Sequence, residues 1–85
     1  MKFFINQHII SSPYSNELMI YDSLLNKYYL IKGNGKEIFT LINEGKSVNE
    51  ICSSLSDLYG NDLIIEKEVM KFIYSMEEKK IIKRE

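Results

Sequence analysis

Apolar residues follow two rhythms along this chain: alternation as far as residue 31, and helical spacing from residue 38 onward. Lys2–Ser11 reads as a first strand, closed by Ser11-Ser12-Pro13 because proline cannot donate to a ladder. Tyr14, Ser15 and Asn16 then connect to two further strands, Glu17–Asp22 and Lys27–Ile31, rich in Ile, Tyr and Leu. The four residues Ser23–Asn26 fit a hairpin loop, and Asn26 can take the left-handed backbone usually left to glycine. Setting Asp22 opposite Lys27 places Ile20 opposite Tyr29 and Leu18 opposite Ile31 on one face. The other face then carries Met19, Tyr21, Tyr28 and Leu30. Both faces are apolar, which a hairpin with one wet face does not need. The plainer reading, that the first strand or a terminus covers the second face, is preferred to docking by a partner.

Gly33-Asn34-Gly35 turns the chain into a first helix with Asn34 as its expected cap, and Ile38, Phe39, Leu41 and Ile42 form its stripe up to Gly45. Ser47-Val48-Asn49-Glu50 is a capping box, opening a second helix that carries Ile51, Leu55 and Leu58 and ends at Gly60. A third helix is expected to begin near Glu66. Val69, Phe72, Ile73 and Met76 mark its buried stripe, which Met70 and Tyr74 widen on one side. Ile81 and Ile82 follow as a short apolar tail. Three strands followed by three helices predict a single α+β domain over residues 1–85, a three-stranded antiparallel sheet with helices on one face.

Composition narrows the function. Eleven basic and twelve acidic residues leave a net charge of -1, without the basic surplus that phosphate binding draws on. A helix-turn-helix reading is weakened further by Glu66 and Glu68, which would open the recognition helix, and by a long Gly60–Ile65 link. One cysteine, Cys52, forms no internal disulfide and fits a reducing, cytoplasmic setting. The N-terminal apolar run is too short and too polar for a signal peptide or a membrane span. His8 stands alone in the first strand, so no metal site is expected. Cys52 reads as a small buried apolar residue, Gly33–Gly35 as turn chemistry, and Glu77–Lys80 with Lys83–Glu85 as a solvated end. No catalytic constellation stands out and no cofactor is expected, so the chain reads as a non-enzyme. What remains is an edge of the hairpin, with unpaired backbone groups that another chain could join as a strand.

The segment Tyr-Asp-Ser-Leu-Leu-Asn-Lys-Tyr-Tyr-Leu-Ile (residues 21–31) resembles the "Leu-Asp-x-x-x-Gly-x-Tyr-Tyr/Trp-x-Leu" hairpin of the PqqD-like proteins. These are named for the pyrroloquinoline-quinone biosynthesis chaperone and are also called precursor-peptide recognition elements. Lys32–Phe39 is similar to that family's "Asn-x-Thr-Gly-x-x-Ile-Trp", with Gly35 and Ile38 in place. Glu44–Ile51 resembles "Asp-Gly-x-Thr-Val-x-Glu-Ile", Tyr59 stands where a tyrosine often ends the second helix, and Glu68–Met76 resembles "Asp-Val-x-x-Phe-Leu-x-x-Leu". Asn26 for glycine, Lys32 for asparagine and Phe39 for tryptophan are departures.

The resemblance, over about residues 17 to 82, implies a winged-helix-like fold that binds the leader segment of a ribosomally made precursor peptide. The leader adds as a strand beside the third strand, in a groove against the third helix, and the domain presents it to a modifying enzyme. Tyr28, Tyr29, Leu30 and Ile31 are the implied strand residues; Val69, Met70, Phe72, Ile73, Tyr74 and Met76 are the implied helix residues. A chain of this length looks most like the leader-binding protein of lasso-peptide pathways, which partners a leader peptidase and a cyclase. A chaperone for a radical-SAM maturase is the close alternative, and neither nucleic acid nor membrane is an expected partner.

Overall fold

The N-terminal apolar run is split in two in the computed structural model, which describes residues 1–85. β1 (Phe3–Ile5) and β2 (Ile9–Tyr14) belong to different sheets, separated by a turn that contains His8. Asn6 makes the break. Its backbone N–H donates to Ile81 O at 3.0 Å and its side-chain amide to Lys80 O at 2.7 Å, while its carbonyl accepts from Ile9 N at 3.1 Å. The C-terminal apolar pair is therefore not a tail. Ile81 and Ile82 are fully buried, and β5 (Ile82–Arg84) pairs antiparallel with β1 in a two-stranded clasp.

The main sheet is β2-β3-β4, all antiparallel, with β3 at Glu17–Asp22 and β4 at Lys27–Ile31. Its β3–β4 register is the expected one, Asp22 against Lys27 through Leu18 against Ile31. Pro13 lies inside β2 rather than ending it, and the β2–β3 turn is Ser15-Asn16, with Ser15 at φ 58°. Because β2 pairs beside β3, it does not cover the second face as the sequence reading expects; Tyr28 and Leu30 stay exposed there.

Helix α1 (Asn34–Asn43) is capped by Gly33 at φ 56°, not by Asn34, and no side chain closes its first turn. Its end is a Schellman motif: Lys46 N donates to Leu41 O and Gly45 N to Ile42 O, with Gly45 at φ 84°. Helix α2 (Val48–Tyr59) has both hydrogen bonds of the Ser47/Glu50 capping box. Leu58, expected on its buried stripe, is exposed instead: it shares the side of Ile51 and Leu55 but sits in the last turn, where it borders an open hollow with Lys36 and Thr40 of α1. Helix α3 (Asp62–Glu78) starts four residues before the expected Glu66, because Asn61 caps it by accepting from Ile64 N. The α2–α3 link is thus only Gly60-Asn61. Fifteen buried apolar residues drawn from every strand and helix form one core.

Candidate functional site

Two strands of the main sheet have an outer edge, and they are not equivalent. In an antiparallel strand, successive residues send their N–H and C=O groups to alternate sides. Ser23 N donates to His8 O at 3.0 Å, so Glu17, Met19 and Tyr21 turn their backbone groups to β2. Leu18, Ile20 and Asp22 consequently bond to Ile31, Tyr29 and Lys27. On β2 this leaves Ile9, Ser11 and Pro13 facing outward. Ile9 N is already committed to Asn6 O at 3.1 Å and Pro13 has no N–H, so this edge is blunted. On β4 the outward residues are Tyr28 and Leu30, and no backbone hydrogen bond outside the helices and ladders reaches either one. Tyr29, expected from sequence to bond a ligand through its backbone, turns those groups to β3 instead.

The hairpin that presents β4 is held from inside. Asp22 is fully buried, and its Oδ1 accepts from Leu24 N and Leu25 N, each at 3.0 Å. Tyr21 OH donates to Asn26 Oδ1 at 2.8 Å, and Asn26 adopts the expected left-handed backbone at φ 54°.

Of the expected helix residues, Val69, Ile73 and Met76 are core. Phe72 is half-buried at the C-terminal end of β4: a Cβ added to Gly35 would lie 2.7 Å from Phe72 Cε1 and 2.9 Å from Ile31 Cγ2. Only glycine lets the start of α1 pass between them. Glu68 and Ser75 share the Phe72 flank, within about 60° around the helix. Met70 and Tyr74 lie about 160° from Phe72. They line a separate hollow with Leu63, Glu66, Lys67 and Lys71, and Arg84 stands 5.9 Å from the Tyr74 ring. Ile31 is thus the one β4 residue shown beside Phe72, Tyr28 and Leu30 lie on the opposite face of the sheet, and Met70 and Tyr74 stand apart from both.

An apolar cavity of about 250 Å³ opens where α1, α2 and α3 converge, lined in part by Ile38, Leu55, Tyr59, Ile64, Ile65 and Val69. Ile64 and Ile65 escape the sequence reading because it places them in a loop; Asn61 ahead of Asp62 is the capping signal that would have recovered them. Tyr59 ties α2 to α1 by donating to Glu37 Oε1 at 2.7 Å, which raises its phenol pKa. Burial, with Glu66 nearby, pushes the Cys52 thiol up, away from nucleophilic character. No three His, Cys, Asp or Glu side chains gather as metal ligands, and no helix is long and apolar enough to cross a membrane.

Residues 17–82 match the profile of the family described as coenzyme PQQ synthesis protein D (PqqD). No curated protein sequence matches significantly. Two solved structures share the fold. One, TbiB1 in complex with the TbiA(beta) leader peptide, superposes at a TM-score of 0.90 with 21% identity, covering 100% of this chain and 98% of that one. The other, a lasso peptide synthetase B1 complexed with the leader peptide, gives 0.91 with 14% identity, covering 99% and 100%.

Proposed function

The chain belongs to the PqqD family, and from that premise we propose that it binds the leader segment of a ribosomally made precursor peptide as a strand added to β4. The observation that carries this reading is the outer edge of β4. Tyr28 and Leu30 offer two N–H and two C=O groups to an incoming chain, while the β2 edge is blunted by Pro13. Phe72 beside Ile31 at the end of β4 supports a groove there, with Val69, Ile73 and Met76 of the same helix in the core behind it. Both structural neighbours are complexes with leader peptides, and one of them is a lasso peptide synthetase B1. This supports a lasso-peptide leader as ligand and a leader peptidase and cyclase as the enzymes served. A radical-SAM maturase remains the alternative client of the same groove. The domain acts as an adaptor rather than a catalyst, in the cytoplasm where the precursor is made.

Adding a strand orders the leader at an entropic cost, so the expected Kd lies between roughly 10 nM and 10 μM. Titration with labelled leader should shift the amides of Tyr28, Leu30 and Phe72. Shifts that avoid residues 27–32 and 66–80 would overturn the assignment.

A further inference from the structure

Core packing does not account for the cavity where the three helices converge. Close-packed interiors hold few voids larger than a water molecule, yet this hollow measures about 250 Å³. Its floor is core: Ile38 of α1, Leu55 of α2 and Val69 of α3 are all buried. Its rim is not, with Tyr59 56% and Ile64 59% exposed, and a Cβ added to Gly60 would meet nothing within 4 Å. The hollow therefore opens to solvent. The Tyr59 hydroxyl is held by Glu37 Oε1 at 2.7 Å, so its ring stands as a wall of the hollow instead of filling it.

Two residues join the hollow to the end of β4. Asn34, on its α1 side, is the neighbour of Gly35, whose backbone passes between Ile31 and Phe72. Glu68, on its α3 side, lies one turn before Phe72 on the same flank. Ile64 and Ile65 follow about 10–12 Å from Phe72 along the helix axis. An extended chain rising about 3.3 Å per residue covers that distance in roughly three or four residues. Size then selects the occupant. An apolar cavity of about 150 Å³ takes up benzene, and pockets for drug-sized molecules begin at about 300 Å³. A hollow of about 250 Å³ lies between the two and fits one large apolar side chain. We propose that it is a second anchor point for the leader: an aromatic or large aliphatic side chain, three or four residues beyond the strand paired with β4 on the Ile31 side, enters between Tyr59 and Ile64. Main-chain pairing at β4 supplies affinity for any extended peptide, whereas a side-chain pocket discriminates. Glu68, the one charged residue lining the hollow, disfavours an acidic side chain there. The inference rests on leader binding at β4.

The probes are a synthetic peptide carrying the leader of the precursor encoded with this chain, and single-alanine versions of it. Affinity is read by anisotropy and contact by backbone amide shifts. Ile64 is exposed, so Ile64→Ser removes part of the wall without emptying the core. It should weaken leader binding about tenfold or more, while the leader still shifts the Tyr28 and Leu30 amides. With wild-type protein, alanine at one apolar leader residue outside the paired strand should cost a similar factor. The two losses should not add, because they remove the same contact: the alanine leader should bind wild type and Ile64→Ser within about threefold of each other. If Ile64→Ser lowers the melting temperature, the alanine scan on wild type, with leader-induced shifts at Ile65 and Val69, carries the test. Leader affinity unchanged in a folded Ile64→Ser overturns the inference, as do losses that add in full. A scan in which no residue outside the paired strand matters overturns it too. A leader that leaves the Tyr28 and Leu30 amides unshifted sinks the proposed function itself, a result separable from the other three.

Discussion

At the scale of single residues, Asp22 does most to shape the proposed binding edge. A fully buried carboxylate is costly unless its oxygens find partners. Oδ1 takes two loop amides, whereas Oδ2 has only His8 Nε2 at 3.6 Å, beyond hydrogen-bond range. Asp22→Ala would orphan the Leu24 and Leu25 amides and should cost about 1–3 kcal/mol in urea denaturation. Asp22→Asn keeps an acceptor at Oδ1 and should cost less. Equal stability of Asp22→Ala and wild type would show that the loop does not depend on this side chain. Asn26 has a similar local logic. The family motif has glycine at this turn, and asparagine accepts the same positive φ while taking a hydrogen bond from Tyr21.

At the scale of elements, α3 has two flanks with different neighbours. Phe72→Ala, or the milder Phe72→Leu, should weaken leader binding, by about 1 kcal/mol or more for alanine. Met70→Ala and Tyr74→Ala should leave it within twofold, because their flank faces Arg84 and solvent rather than β4. Met76→Ala should instead cost about 2–5 kcal/mol of stability by opening a core cavity. Peptide titrations and thermal melts on the four sites separate these outcomes; loss of binding in Met70→Ala or Tyr74→Ala would move the groove to the other flank. Helical periodicity made the buried stripe of α3 legible, but it carries no information about what lies beside the stripe. Hence Met70 and Tyr74 looked as eligible as Phe72. The β3–β4 register was legible because alternation and a four-residue loop are both local signals. The β1–β5 clasp was not. Its strands are three residues long and lie at opposite ends of the chain, so neither shows a period and no turn joins them. The early start of α3 was hidden because Leu63, Ile64 and Ile65 form an apolar run without helical contrast.

At the scale of the whole molecule, charge and shape pull the helix-turn-helix comparison in opposite directions. The two-residue α2–α3 link removes the objection that the connection is too long. The net charge of -1 and the acidic Asp62, Glu66 and Glu68 on α3 still deny it the basic surplus that phosphate binding draws on. Affinity for duplex DNA at physiological salt should be no tighter than non-specific levels, about 100 μM to 1 μM. A sequence-dependent, salt-sensitive shift at nanomolar protein would reverse that reading. The unequal edges of the main sheet have a further consequence, best put in the language of polymerisation. A sheet with two open edges is a bifunctional monomer and can grow without limit; one with a single open edge is a chain stopper. Pro13, with Ile9 N–H already consumed, leaves Ser11 as the one outward donor of β2, so the domain is close to monofunctional and takes up its strand at β4. Pro13→Val should restore the second function. Light scattering at high concentration should then report oligomers that wild type does not form, and that saturating leader caps by occupying β4.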